Sequence, residues 1–144
     1  MAMRKFVPIV VIGVVLAACS GGDESSAGGA RTVAILMSDD MRYTPGELEF
    51  VAGETVRFEV TNAGSVPHEL FIADAEGQGE HAAEMVEMEG GIGHDEPGRV
   101  RVEPGATETL EYTFEESGAL LGACHEPGHY EAGMVVAITV RPNS

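Results

Sequence analysis

Lysine is nearly absent from this chain. Of its eight basic residues only Lys5 is a lysine, and beyond residue 19 the cations are Arg31, Arg42, Arg57, Arg99, Arg101 and Arg141. All 24 Asp and Glu also lie beyond residue 19, so that part carries a formal charge of 6 − 24 = −18. Nucleic acid wants a basic face and anionic lipid attracts polybasic segments, so both partners are excluded on charge. A self-repelling, soluble surface is expected instead, on a monomer. Long hydrophobic runs are lacking too. The apolar run Phe6 to Ala18 follows Arg4-Lys5 and is too short for a membrane-spanning helix, which fits the core of a secretory signal. With 144 residues, there is room for one domain and no second core.

Cysteine occurs twice, as Cys19 and Cys124. Cys19 stands in Leu16-Ala17-Ala18-Cys19-Ser20, which resembles the bacterial lipoprotein box, in which the Cys is lipidated and becomes the new N-terminus. The resemblance implies an exported protein, in the periplasm or at the cell surface, anchored to a membrane through lipid on Cys19. Cys124 is then the one remaining thiol in an oxidising compartment and has no disulfide partner within the chain. The expected division is a signal peptide over 1–18, a flexible tether over 19–31 rich in Gly, Ser, Ala and acid, and a folded domain over 32–144.

Within the domain, short stretches of alternating or β-branched residues are separated by turn signals. Thr32 to Met37 reads as a strand, Met41 to Pro45 as an irregular approach, and Glu47 to Val51 as a half-buried strand. Thr55 to Thr61 alternates again, and Ala52-Gly53-Glu54 between the two predicts a hairpin. Glu69 to Ala73 predicts a buried strand, and Gly77 to Gly79 release the chain into a helix from His81 to Glu89, closed by Gly90-Gly91. Arg99 to Val102, Thr107 to Phe114 and Val135 to Val140 complete the set. The fold class expected is all-β, a Greek-key sandwich or barrel with one short helix inserted.

The chemistry concentrates in Cys124-His125-Glu126-Pro127-Gly128-His129-Tyr130-Glu131-Ala132-Gly133-Met134. Its thiolate, imidazole and thioether fall at equal five-residue steps, a list of metal donors to which His68 would add a second imidazole. Together with Val66-Pro67-His68 and the Pro104-Gly105 turn ahead of a Leu/Tyr/Phe strand, this loop resembles the cupredoxins, the plastocyanin and azurin type of copper protein. More narrowly, the helix with Met and His resembles bacterial periplasmic cupredoxins associated with copper handling. The resemblance spans Thr32 to Val140 and implies one type 1 copper ion held by His68, Cys124 and His129, with Met134 as a weak axial ligand. Zinc also accepts Cys and His but gains little from a thioether.

Plastocyanin-type carriers commonly place Asn after the first His. Glu69 stands there, which puts ordering of the thiolate's surroundings in question. His125 is expected at the surface, pointing away from Cys124, with a share in metal capture as the alternative, and Leu120, Leu121 and Pro127 are expected to form an apolar docking patch near His129. His81, Met85 and Met88 recur at helical spacing with His94 beyond. Met85 and Met88 read as gap-filling core, or the group reads as a second, soft copper site.

The resemblance implies a membrane-tethered one-electron carrier, with a redox partner such as a cytochrome or a copper oxidase or reductase. The alternative is a copper homeostasis protein that buffers or sequesters the metal. An enzyme is not expected, because no His-x-His pair is present for a copper cluster and the loop has a single Cys.

Overall fold

Alternation along the strands is matched by burial in the computed structural model, which describes residues 30–87 and 96–144. The signal peptide, Cys19 and nearly all of the tether lie outside the described residues, as do Met88, His94 and the expected Gly90-Gly91 helix stop. The elements in chain order are β1 (Arg31–Ser38), β2 (Arg42–Thr44), β3 (Glu47–Val51), β4 (Glu54–Asn62), β5 (His68–Ala73), α1 (Ala75–Glu87), β6 (Arg99–Val102), β7 (Thr107–Phe114), β8 (Gly118–Ala123) and β9 (Val135–Arg141). They form two sheets, ordered β2-β1-β4-β7 and β3-β9-β8-β5-β6. The expected all-β sandwich with one inserted helix is thereby observed.

The apolar faces meet between the sheets. Val56, Phe58 and Val60 of β4 oppose Leu48 and Phe50 of β3 in one buried cluster. Phe50 stacks on Phe114 with ring centroids 4.3 Å apart, and Phe58 meets both edge-on at 5.7 and 6.4 Å. Such offset and edge contacts let aromatic rings fill a core without voids.

Four expectations on secondary structure need correction. Ala52-Gly53-Glu54 does not close a hairpin: β3 pairs in parallel with β9, whereas β4 pairs with β1 and β7. The turn carries the chain from one sheet to the other, with Ala52 N–H donating to Arg141 O and Gly53 N–H to Phe114 O. Alternation says which face is apolar, and both a hairpin and a crossover satisfy it. The irregular approach contains β2, whose Tyr43 is buried and donates its hydroxyl to the main-chain oxygen of Glu69.

Strand β8 was not expected at all, since Gly118-Ala-Leu-Leu-Gly-Ala has no period. Gly122 is needed there by contact, because a Cβ would lie 2.6 Å from Val136 Cγ1 and 2.7 Å from Leu70 Cδ1. The helix begins at Ala75 and runs through Gly77 and Gly79. Asp74 caps it, accepting the Gly77 N–H at 2.9 Å, and a side chain at Gly77 would crowd Ala73 Cβ at 2.9 Å. Gln78 pins the helix to the sheet, donating to Phe71 O at 3.1 Å and Leu121 O at 2.8 Å.

Candidate metal centre

Two adjacent strands and one loop bring the expected donors to the same end of the sandwich. His68 opens β5, Cys124 follows β8 directly, and Met134 precedes β9 directly. The loop between them is closed at its base by Cys124 N–H to Met134 O at 3.2 Å, continuing the β8–β9 ladder. Inside it, His129 N–H donates to Glu126 O at 3.0 Å and Met134 N–H to His129 O at 3.0 Å. Gly128 and Gly133 take positive φ values of 83° and 90°, a region that only glycine enters freely, and so the loop can fold back on itself.

The donor atoms converge. His68 Nδ1 lies 3.2 Å from His129 Nδ1, and Cys124 Sγ lies 3.3 Å from the same His129 nitrogen. An ion bonded at about 2.0–2.3 Å to two nitrogens and a sulfur leaves its ligands roughly that far apart, so the three residues fit a single metal ion. His68 and Cys124 are fully buried, and His129 is partly exposed beside the exposed Pro127 and Gly128. Met134 is fully buried in the same core cluster as Cys124.

The surroundings orient His68, favour a neutral His129 and guard the sulfur. Asp39 Oδ1 sits 3.3 Å from His68 Nε2, so a proton donated there leaves the Nδ1 lone pair to face the other donors. The Asp39 carboxyl is held down at about 2, first by the Ser65 hydroxyl and next by the Ser65 N–H. Burial, then the neighbouring His68 ring, pushes His129 below the ordinary histidine range. Burial pushes the Cys124 thiol up to about 12, against the main-chain N–H groups of Glu69 and Glu126, which lower it. A metal taken up here therefore displaces the thiol proton. Sequence reading missed Asp39, which looked like the polar stop of the first strand. No local pattern links it to His68 across 29 residues.

Asp39 supplies a test of this electrostatics. Its carboxyl is more acidic folded than unfolded, so the stability it adds is present above its ordinary value of 3.8 and disappears as pH falls toward about 2. In urea titrations of the metal-free protein, the advantage of the wild type over Asp39→Asn is expected to be present at neutral pH and to vanish between roughly pH 4 and 2. A difference independent of pH would remove Asp39 from this role.

Glu69 turns out to be the organiser of the neighbourhood. Its N–H donates to Cys124 Sγ at 3.4 Å, and its carboxylate accepts the N–H of His125 at 2.8 Å. The same carboxylate pairs with Arg99 at 2.6 Å and with His81 Nε2 at 3.1 Å. Burial alone would raise the Glu69 carboxyl, but His81, Arg99 and the His125 N–H together bring it below the usual carboxylate range. Glu69 thus ties the residue after Cys124 to β5, and the thiolate's surroundings are ordered.

One site expectation changes. His125 is buried, not at the surface: its Nε2 lies 2.8 Å from Gln78 Oε1, and its ring stacks on Tyr130 at 4.7 Å. Strand alternation does not apply to it, because β8 ends at Ala123. Leu120 and Leu121 lie within β8, paired with Ile138 and Ala137 of β9, and both are part-exposed. Met85 is buried on the inner side of α1, its Sδ facing Arg99 Nη2 at 3.9 Å, as the core reading expects, and His81 is buried beside it.

Comparison with known proteins agrees with this geometry. Residues 31–141 match the family described as copper binding proteins, plastocyanin/azurin family. The copper-resistant cuproprotein CopI of Rubrivivax gelatinosus is 41% identical over 83% of this chain and 71% of its own length. CopI of Pseudomonas aeruginosa is 32% identical over 96% and 98%. Among solved structures, the dithionite-reduced auracyanin of Roseiflexus castenholzii superposes with a TM-score of 0.68 at 22% identity, covering 79% of this chain and all of that one. Auracyanin B gives a TM-score of 0.64 at 21% identity.

Proposed function

The chain belongs to the plastocyanin/azurin family of copper-binding proteins, and from that premise we propose that it holds one copper ion at His68, Cys124 and His129, with Met134 as a weak axial ligand, in a type 1 centre. The observation that carries this reading is the convergence of the two Nδ1 atoms and Sγ at 3.2 and 3.3 Å on a loop closed by its own hydrogen bonds. Copper held by these residues would supply one-electron exchange between Cu(II) and Cu(I). The chain's part is to keep the donors in place through the exchange. Asp39 orients His68, Glu69 tethers the Cys124 turn, and His129 brings the site to the surface beside Pro127 and Gly128. This is binding and electron exchange, not catalysis.

Two roles use such a centre, and the relatives named copper-resistant favour copper tolerance over a free-standing electron carrier. In this reading the protein is exported, anchored through lipid on Cys19 in the periplasm or at the cell surface, and lowers the toxicity of copper there. A redox partner such as a cytochrome or a copper oxidase or reductase would serve the carrier role instead. Deleting the gene from its host is expected to lower the copper concentration tolerated, with restoration by the wild type and not by Cys124→Ser. Unchanged growth in copper would sink the tolerance role and leave the carrier.

Met134 is expected to tune the centre more than to hold the metal, because a long axial thioether bonds weakly. Met134→Leu removes a donor that helps stabilise Cu(II), so the reduction potential should rise; Met134→Gln adds a harder oxygen donor, so it should fall. Voltammetry of both variants decides. Shifts of the same sign, or loss of copper from Met134→Leu, would exclude a weak axial role.

A further inference from the structure

A second group of metal donors lies on the far side of Glu69. His81 is 3% exposed on the inner side of α1, its ring against Phe71 with centroids 4.2 Å apart. Its Nε2 is 3.1 Å from the Glu69 carboxylate, which accepts the proton on that nitrogen. The other nitrogen, Nδ1, is buried and has no hydrogen-bond partner among the described residues. It is nevertheless aimed at acid. Glu96 Oε2 lies 3.0 Å away without hydrogen-bond geometry, and Glu84 stands three residues on along the same helix face. One atom from each of the three residues falls within 4.8 Å of the other two.

An imidazole nitrogen facing two carboxylates needs positive charge among them: against burial, Glu69 and then Glu96 raise the proton affinity of His81, so the nitrogen carries a proton that a metal ion can displace. Moreover, a histidine whose distal N–H is held by a fixed carboxylate is the arrangement that orients histidines toward metals. Here Arg99 fixes that carboxylate at 2.6 Å. We propose that His81 Nδ1, Glu84 and Glu96 form a second cation site, suited to a borderline divalent first-row ion such as Cu(II) or Zn(II). One nitrogen and two carboxylates match such ions better than Cu(I), which prefers sulfur. Glu84 is exposed and Glu96 only part-buried, so both side chains can close by rotation around an ion that reaches them from solvent. The site does not depend on what Cys124 holds, but it shares the Glu69 carboxylate with the turn at Cys124 and His125.

The test is titration of the metal-free full chain with Cu(II), followed by electron paramagnetic resonance and calorimetry. An equivalent of Cu(II) with nitrogen and oxygen ligation is expected, its spectrum split by one strongly coupled nitrogen. In Glu84→Gln/Glu96→Gln that equivalent should weaken at least tenfold, so that the chain binds one copper fewer whether or not the Cys124 site is filled. A control pair with the same charge change on the opposite sheet, Glu59→Gln/Glu108→Gln, should leave it unchanged. No equivalent sensitive to Glu84 and Glu96 would overturn the proposal, and so would equal loss in the control pair, which marks binding by the acidic surface at large.

Discussion

Copper-loaded Cys124→Ser is expected to be colourless or pale, where the wild type absorbs intensely in the visible. The intensity of a type 1 centre comes from charge transfer between a thiolate and Cu(II), and Cys124 is the single free cysteine among the described residues. Its sulfur is fully buried, 3.3 Å from His129 Nδ1 and 3.4 Å from the Glu69 N–H, so no other donor can enter its place. Serine is smaller, and its hydroxyl binds a soft ion poorly. Affinity should therefore fall by more than the roughly 10–100-fold that loss of an outer hydrogen-bond partner costs. The check is an optical spectrum beside a competition titration against a chelator of known affinity. Colour that survives the substitution would mean that sulfur from Cys124 does not bind the metal.

What was legible in the sequence follows from how local each signal is. Glu47–Val51 and Thr55–Thr61 announced themselves because side-chain alternation needs only neighbours two apart. Cys124, His129 and Met134 could be read because one loop holds them all, and a Pro-Gly turn between donors restricts how that loop folds. Most of the failures are non-local. Whether Ala52-Gly53-Glu54 makes a hairpin or a crossover depends on β9, which arrives more than eighty residues later. Gly118–Ala123 is a strand because it pairs with β5 and β9, whose Leu70 and Val136 leave no room for a side chain at Gly122. The helix tolerates Gly77 and Gly79 because Asp74 caps it and Gln78 reaches two strands, neither of which a propensity scale contains. Glu69 raised a doubt only because its partners lie 12, 30 and 56 residues away.

That last set predicts the second large effect: Arg99→Met should cost about 3–5 kcal/mol of stability at neutral pH, the cost of leaving a buried carboxylate without its cation. Glu69 is fully buried and Arg99 is 4% exposed, with Nη2 and Nε at 2.6 and 2.8 Å from the same oxygen. Set against the roughly 5–15 kcal/mol that holds a domain folded, this is a large share. Replacing both charges, in Arg99→Met/Glu69→Gln, should recover much of the loss, because the amide oxygen can still accept from the His125 N–H and no unpaired charge remains. The single substitution being worse than the double is the signature of a buried pair, and urea denaturation of the four members of the cycle measures it. A cost below about 1 kcal/mol for Arg99→Met would place the pair with surface ion pairs and end the argument. The same cycle reads the metal centre, since Glu69 reaches the sulfur through its own N–H and the loop through His125. Arg99→Met in the copper-loaded protein should therefore shift the thiolate absorption while the copper stays bound, which no purely structural role remote from Cys124 would produce.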